Sequence, residues 1–343
     1  RKKRERERER ERKRERERER FLFSCFVCVC VCVCVCVLLT EEEKEKMIIP
    51  PYLKAGDEVI IIASARKISS EELAPAIEKL NNAGLTVILG KHIFEIENQF
   101  AGTDQQRTHD LQWALDHPTA KAIVFARGGY GTVRLINSID FSQFKKNPKW
   151  IVGYSDITVL HNAILNIGIS TMHATMAFSF SKNEESTTSL INTLLGIHKC
   201  ISCEASIYNK NGIANAEIVG GNLSILYSIA GTPYDIDTTN KILFIEDLDE
   251  YLYHIDRMMM QLKLSGKLSN LKGIIIGGMS DMRDNTIPFG KTAEEIISEA
   301  VKEYNYPVCF NFPAGHIEKN LAIVFGKTAL LNVEANQSTL SYL

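Results

Sequence analysis

Short apolar runs alternate with helix-like patterns from Met47 onward, and this alternation constrains the fold more than any other feature of the sequence. The run EVIIIAS at 58–64 has the continuous apolar character of a strand buried on both faces of a parallel sheet. Ser69 and Glu72 then form the S-x-x-E pattern of a helix N-terminus, and Gly84 marks the end of that helix. Similar apolar runs follow at 85–90, 121–126, 149–156 and 168–174. Repeated β-α units of this kind predict an α/β fold, with a parallel sheet covered by helices on both faces.

A change of pattern near residue 180 divides the chain. Its length of 343 residues gives room for two domains of ordinary size. We assign residues 47–180 to an N-terminal α/β domain, and 181–214, which begins with a polar, Ser/Thr-rich stretch, to a linker region. Residues 215–343 contain few helical patterns and many apolar runs that we predict as strands, among them AEIVGGNLSIL and LAIVFGKTALLNV. We therefore predict a strand-rich C-terminal domain built on a curved sheet or a small barrel.

Residues 1–46 have a different character. Arg and Glu alternate in 1–20, and Val and Cys alternate in 27–37. A repeated DNA dinucleotide encodes such strict alternation, since AGAGAG translates as Arg-Glu and GTGTGT as Val-Cys. We therefore interpret 1–46 as a low-complexity extension outside the fold, with Met47 as the expected true start. The alternative is a membrane anchor, because the apolar run at 21–39 is about as long as a spanning helix, although Val-Cys alternation is poor helix material.

The charge balance argues against a nucleic-acid partner. Residues 1–46 carry 15 Lys/Arg and 11 Glu, so the net charge of −2 for the whole chain becomes −6 for residues 47–343. That part of the sequence has no basic stripe. Six of the nine cysteines lie in the apolar run at 21–39, which leaves Cys200, Cys203 and Cys309. An odd and sparse set suits a reducing, cytoplasmic compartment better than a disulfide framework.

Two glycine-containing turns at strand ends are candidates for catalysis. The stretch RGGYG at 127–131 lacks the spacing of a dinucleotide-binding or Walker A loop, and offers instead backbone N–H groups near a helix start. Ser155 lies in the corresponding turn one strand later, within GYSD at 153–156. This turn resembles a nucleophile elbow without its second glycine. Ser155 is therefore either a nucleophile or the N-cap of the next helix.

A serine nucleophile requires a base and an orienting acid. His316, in the turn FPAGH, is the best base in the sequence, with His161 and His173 as competitors. Glu246 and Asp247 follow the apolar run KILFI. Either carboxylate can orient a histidine, or can simply favour the N-terminus of the next helix.

Five ordered motifs then give the sequence a specific resemblance. They are RGGYG, GYSDIT, GGNLSIL with GTPYD, LFIEDLDEYLYHIDRM and FPAGHIEKNLAIVFG. With these motifs, the chain from Met47 to Leu343 resembles the LD-carboxypeptidase family of serine peptidases. The resemblance implies a flavodoxin-like N-terminal α/β domain, a barrel-like C-terminal domain and an active site between them.

The resemblance also implies roles for individual residues. Ser155, His316 and Glu246 would form a Ser-His-Glu triad, with an oxyanion hole made by the backbone N–H groups of Gly129 and Asp156. The implied reaction is hydrolysis of the amide bond before a C-terminal D-amino acid, which converts a murein tetrapeptide to a tripeptide in cytoplasmic cell-wall recycling. It requires no metal and no organic cofactor. The implied partners are a small murein peptide and a second copy of the chain in a homodimer, rather than nucleic acid or a membrane.

Two other functions are compatible with the sequence. One is a microcin C-type self-immunity peptidase that cleaves a peptidyl-nucleotide analogue. The other is a non-catalytic two-domain small-molecule binding protein, which would not require Ser155, Glu246 and His316 together. For a carboxypeptidase, Arg127 beside the glycine turn is our candidate for binding the terminal carboxylate of the substrate, with simple solvation at the surface as the alternative.

Overall fold

The structure is a computed structural model that describes residues 47–343, so the interpretations of residues 1–46 lie outside the described part. The strands are β1 (Glu58–Ile62), β2 (Thr86–Leu89), β3 (Ala122–Phe125), β4 (Trp150–Gly153), β5 (Thr171–His173), β6 (Ile201–Glu204), β7 (Gly212–Asn222), β8 (Ile242–Leu248), β9 (Gly273–Ser280), β10 (Val308–Cys309), β11 (Ile323–Phe325), β12 (Thr328–Val333) and β13 (Gln337–Tyr342). The α-helices are α1 (Ser70–Asn82), α2 (Asp104–Asp116), α3 (Ser142–Lys146), α4 (Thr158–Leu165), α5 (Glu184–Leu194), α6 (Leu223–Ser228), α7 (Leu252–Leu264) and α8 (Ala293–Val301). None of the helices in this range combines the length and apolar character that a bilayer crossing requires.

The first sheet has the strand order β11-β5-β4-β3-β1-β2. Strands β1 to β5 are parallel, and their order is that of a flavodoxin-like sheet. Neighbouring residues of β1 face opposite sides of this sheet, so Val59 and Ile61 pack in one core while Ile60 and Ile62 pack in another. Helices α1 and α5 cover the first face, and α2 and α4 cover the second. The predicted parallel α/β architecture is therefore confirmed.

Local sequence features explain where the first helix begins and ends. Ser69 accepts a hydrogen bond from the backbone N–H of Glu72, and the Glu72 carboxylate accepts one from the backbone N–H of Ser69. This is the capping box that the sequence predicts. Gly84, with φ of +81°, follows the helix and turns the chain toward β2.

The second sheet has the order β10-β9-β8-β7-β12-β13-β6. Strands β7 to β10 are parallel, whereas β12, β13 and β6 are antiparallel to their neighbours. The two edges of this sheet approach each other, because the sulfur atoms of Cys203 in β6 and Cys309 in β10 are 3.6 Å apart. Between the edges, Asn209 accepts a hydrogen bond from the backbone N–H of Phe310 at 2.8 Å. The sheet thus curls in the barrel-like manner expected.

Strand β11 links the two sheets. It lies in the C-terminal part of the sequence but pairs antiparallel with β5 of the first sheet. Gly326, with φ of +78°, separates it from β12 of the second sheet. A Cβ at position 326 would lie 2.9 Å from Met47 and Leu165, so the turn requires glycine. The sequence had suggested strands throughout the run LAIVFGKTALLNV without indicating that they belong to different sheets.

Three segments differ from the sequence analysis or add to it. The stretch LSIL, predicted as part of a strand, forms helix α6, because Asn222 ends β7 and caps the helix by accepting from the backbone N–H of Ile225. The helix expected after the glycine turn is replaced by two short 3-10 turns at Thr132–Arg134 and Ile136–Ser138. Residues 181–214, assigned to a linker region, contain α5 and β6.

Candidate active site

Ser155 lies in a strained turn at the carboxyl end of β4. Its φ is +62°, in the left-handed region that costs a non-glycine residue about 1–2 kcal/mol. The preceding Gly153 allows the chain to turn here, because a Cβ at that position would lie only 2.8 Å from the side chain of Ile157. The turn is therefore a nucleophile-elbow-like structure in which the surrounding packing maintains the strained conformation.

The side chain of Ser155 does not cap a helix. The 3-10 turn Ser155–Ile157 begins after Tyr154 and helix α4 begins after Ile157, and neither start has a side-chain capping hydrogen bond. Instead, the Oγ atom of Ser155 lies 3.0 Å from Nε2 of His316. The sequence allowed two roles for Ser155, and the structure excludes its role as a helix N-cap.

His316 connects Ser155 to Glu246. Its Nδ1 atom lies 2.6 Å from Oε2 of Glu246, and its backbone N–H donates to the same oxygen at 3.0 Å. Because a carboxylate accepts hydrogen bonds, this contact places the imidazole proton on Nδ1. Nε2 is then free to accept the hydroxyl proton of Ser155. The three residues form one hydrogen-bonded chain that joins a turn of the first sheet to a strand of the second.

The backbone around Glu246 explains how its carboxylate reaches His316. The pairing of β8 with β9 shifts register between Ile245 and Asp247, as at a β-bulge, and bulges redirect side chains near active sites. Gly315, with φ of +101°, lies directly against the acid, since a Cβ there would be 2.6 Å from Cβ of Glu246. Glu246 itself is fully buried. A glycine before the histidine is thus needed for the close approach of the two chains.

The electrostatics of the site favour a protonatable His316. Burial disfavours the charged imidazole, but the charge of Glu246, the hydrogen bond to it and the charge of Asp247 together raise the pKa of His316. The pKa of Asp247 is itself raised to about 7, by burial and by the neighbouring charge of Glu246. Asp247 accepts hydrogen bonds from Asn222 and from the backbone N–H of Ser224, so it braces the turn after β7 rather than contacting His316.

The two competing histidines are buried in the core behind the site. The ring of His161 packs against Phe325, and its Nε2 donates to the backbone carbonyl of Gly153 at 2.9 Å. His173 packs between aromatic rings, among them Phe244, with 4.9 Å between ring centroids. Burial lowers the pKa of His161 to about 4 and holds that of His173 well below its ordinary value. Both are therefore neutral packing residues and not bases of the site.

The glycine turn lies against Ser155. A Cβ at Gly128 would be 3.3 Å from Cβ of Ser155, and Gly129 has a φ of +113°. The side chain of Asp156, the residue after Ser155, binds this turn, because its Oδ2 accepts a hydrogen bond from the backbone N–H of Thr132 at 2.8 Å. Burial raises the pKa of Asp156, although hydrogen bonds from Thr132 and from the backbone of Gly131 oppose the rise. The structure thus places the two proposed oxyanion-hole residues, Gly129 and Asp156, on adjoining turns.

Arg127 and Tyr154 also lie at this edge. The guanidinium of Arg127 is 3.2 Å from the Glu72 carboxylate and lies over the ring of Phe178, 4.9 Å from its centroid. The ring of Tyr154 packs on His316 at 4.9 Å, a contact that the sequence analysis missed. The one sequence feature that could have indicated this contact is the position of Tyr154 directly before Ser155 in GYSD. Burial and the charge of Glu246 raise the Tyr154 hydroxyl pKa to about 12, so the phenol stays neutral near pH 7.

A possible metal-ligating group lies elsewhere on the first sheet. Within residues 47–343, His92, His109 and Asp110 are the one group of three such side chains whose ligand atoms lie within 4.8 Å of one another. The 2.8 Å contact between His92 Nδ1 and Asp110, together with the hydrogen bond that Asp110 accepts from the His92 backbone, accounts for this arrangement without an ion.

Comparison with known proteins assigns the N-terminal and the C-terminal half of the chain to the same family. The profile described as the LD-carboxypeptidase N-terminal domain matches residues 59–174, and that of the C-terminal domain matches residues 215–331. A probable murein peptide carboxypeptidase of Bacillus subtilis is 35% identical over 306 residues, covering 82% of this chain and 91% of the relative.

Solved structures agree with the sequence relatives. The crystal structure of muramoyltetrapeptide carboxypeptidase from Oxalobacter formigenes aligns with a TM-score of 0.76 and 27% identity, covering 83% of this chain and 98% of that one. The microcin C7 self-immunity protein in complex with aspartyl sulfamoyl adenosine aligns with the same TM-score of 0.76, covering 86% of this chain and 99% of its own. Its identity of 20% supports a common fold alone. By the profile matches and the sequence relatives together, this chain belongs to the LD-carboxypeptidase family.

Proposed function

We propose that the protein is a serine carboxypeptidase that removes the C-terminal D-alanine from a murein tetrapeptide and leaves the tripeptide. The observation that carries this proposal is the hydrogen-bonded chain from Ser155 through His316 to Glu246. Membership of a peptidase family argues against the non-catalytic binding protein, and a binding protein has no need of these three residues together.

The reaction follows from the direction of the hydrogen bonds. Ser155 Oγ attacks the carbonyl carbon before the terminal residue while Nε2 of His316 takes the hydroxyl proton. Glu246, buried against Nδ1, stabilises the imidazolium that forms. As the C–N bond breaks, His316 returns the proton to the leaving amine. Water then attacks the acyl-enzyme with His316 again as base, which releases the tripeptide and restores Ser155.

The negative charge on the carbonyl oxygen needs hydrogen-bond donors during both attacks. We assign this role to the backbone N–H groups of Gly129 and Asp156. Two features support the assignment: the glycine turn packs on Ser155, and the Asp156 side chain fixes that turn through the backbone of Thr132. Donors held in this way would need no rearrangement when the charge develops.

Location and assembly form a further part of the proposal. We place the reaction in the cytoplasm, in cell-wall recycling, and assign the protein a homodimeric state. Cys203 and Cys309 support the location, because they are buried free thiols only 3.6 Å apart, an arrangement compatible with a reducing compartment. Light scattering of the purified full chain tests the dimer.

Mass spectrometry of the purified full chain with murein tri-, tetra- and pentapeptides tests the function. We expect D-alanine and tripeptide from the tetrapeptide, and no product from the Ser155→Ala variant. A peptidyl-nucleotide analogue in a parallel reaction tests the microcin-type alternative. Cleavage of that analogue in preference to the tetrapeptide would replace our proposal, and absence of cleavage of every murein peptide would refute it.

A further inference from the structure

A carboxypeptidase of this kind needs a cation near its nucleophile, and this inference rests on the proposed function. The terminal carboxylate of the substrate must enter a protein whose residues 47–343 carry a net charge of −6. Parallel strands β4, β3 and β1 are neighbours, so the chain segments that follow them meet at one edge of the sheet. Ser155 follows β4, Arg127 follows β3 and Arg66 follows β1.

Three arginines at this edge already have other partners. Arg127 is paired with Glu72 and stacked on Phe178. Arg134 is paired with Asp104. Arg107 is buried, donates to the Ser64 carbonyl and is also paired with Asp104. Binding a substrate carboxylate with any of them would require breaking an existing ion pair.

Arg66 is different. Its side chain is exposed, and within residues 47–343 it makes no ion pair. The backbone on either side is fixed, because Lys67 and Ala101 hydrogen-bond across a short β-bridge to Gln99 and Ala65. A positioned backbone with an unpaired guanidinium is what a receptor for a carboxylate requires.

The glycine turn places the Arg66 stem next to the nucleophile. A Cβ at Gly129 would lie 2.7 Å from both Cγ and Cδ of Arg66, so the absence of a side chain at 129 makes room for the arginine. A Cβ at the preceding Gly128 would lie 3.6 Å from Oγ of Ser155. The arginine and the nucleophile thus contact consecutive residues, whose Cα atoms are about 3.8 Å apart.

The substrate has the same spacing. Its scissile carbonyl carbon and its terminal carboxylate carbon belong to consecutive residues and are also separated by one residue step. We propose that Arg66 binds the free carboxylate of the substrate's C-terminal residue and so restricts the enzyme to the last amide bond. The planar guanidinium can hold both carboxylate oxygens, which fixes orientation as well as charge.

The test compares a tetrapeptide ending in free D-alanine with the same peptide ending in D-alanine amide, using the full chain. The wild-type protein should prefer the acid strongly. Arg66→Gln should lower kcat/KM for the acid about 100-fold, mainly through KM, and leave the amide nearly unchanged. Arg66→Lys keeps the stem and the charge but not the fork, so it should recover only part of the preference.

Arg127→Gln is the matched control, one strand away at the same sheet edge, and should keep the preference for the acid. If the Arg66 variants keep the preference, the proposal for Arg66 is overturned, and loss of preference in the Arg127 variant would transfer the role to that residue. Equal cleavage of acid and amide by the wild-type protein would overturn the proposal together with the carboxypeptidase function. Hydrolysis of the tetrapeptide by all variants with unchanged preference would overturn the Arg66 assignment alone. Thermal unfolding of each variant checks that it is folded.

Discussion

Gly315 lies so close to Glu246 that a Cβ added to the glycine would be 2.6 Å from Cβ and 2.7 Å from Oε2 of the acid. The backbone N–H of the next residue, His316, donates to that same oxygen. The backbone at Gly315 and His316 therefore fixes the carboxylate that orients the imidazole. No side chain at position 315 is compatible with this geometry.

Gly315→Ala should lower kcat by about 100-fold or more, because displacement of Glu246 misaligns His316 relative to Ser155. Gly290→Ala is the control: its φ of +84° imposes similar backbone strain, but no heavy atom lies within 4 Å of the new Cβ. That variant should lose stability and keep its turnover. Steady-state hydrolysis of the tetrapeptide measures the turnover of both variants, and thermal unfolding measures their stability. Full activity in Gly315→Ala would mean that the close contact is not needed for catalysis.

Ser155→Gly should be more stable than Ser155→Ala by about 0.5–1 kcal/mol, although both should be inactive. Glycine adopts the φ of +62° at this position without the cost that alanine incurs. Thr188, exposed in helix α5, provides the opposite control, because alanine is favoured over glycine in a helix by about 1 kcal/mol. Urea unfolding at fixed pH gives both differences. If the alanine variant were the more stable one at position 155 as well as at position 188, the turn at Ser155 would not be strained.

Single substitutions of Ser155, His316 and Glu246 by alanine should each reduce turnover severely. Their effects should not multiply in the triple variant, because the three residues act as one hydrogen-bonded unit. Single-turnover kinetics of the three single variants and the triple variant check this. Multiplicative losses would instead indicate independent roles.

The sequence predicted the first sheet well because parallel strands buried on both faces appear as continuous apolar runs. Ser69 and Glu72 similarly carry their capping interaction in a local pattern. Strand β11 was predicted without its true partner. Its three residues belong to one apolar run with β12, and only the tertiary packing of Gly326 reveals that the two strands enter different sheets.

The site shows the same division between local and long-range information. Ser155, Glu246 and His316 were found as strand-end and loop residues, and the family resemblance then grouped them. The contact between Arg66 and Gly129 joins positions distant in sequence, and no pattern near Arg66 indicates it. The ion pair of Arg127 with Glu72 is equally non-local, so the sequence could rank Arg127 only by its position beside the glycine turn.

Glu246→Gln should shift the acid limb of the kcat/KM profile to lower pH and also lower its plateau. His316 must be neutral to accept the serine proton, and the charge of Glu246 helps to raise its pKa. Without that charge, burial dominates and the imidazole loses its proton at lower pH. Glu217→Gln, which removes a carboxylate paired with Lys241 in the second sheet, is the control and should leave the midpoint unchanged. Profiles between about pH 5 and 9 with the tetrapeptide measure both midpoints, and an unshifted limb in Glu246→Gln would contradict the assigned pair.

Asp247→Asn should become more stable relative to the wild-type protein as pH rises. The pKa of Asp247 is raised from 3.8 to about 7 in the folded protein, so the folded state binds this proton more tightly than the unfolded chain does. The resulting stabilisation is fully present below about pH 3.8 and is lost as pH rises through about 7. Asparagine does not ionise and avoids this loss, although it gives up one of the hydrogen bonds that the carboxylate accepts.

The difference in melting temperature between Asp247→Asn and the wild-type protein should therefore move in favour of the variant from pH 5 to pH 8, whatever its absolute sign. Groups other than Asp247 are present in both proteins, so their contributions largely cancel in the difference. Asp281→Asn, at an exposed position beyond β9, is the matched control and should give a constant difference. A constant difference for Asp247→Asn as well would mean that Asp247 is already ionised in the folded protein at pH 5. It would then contribute a fixed charge beside Glu246 rather than one that appears near neutral pH.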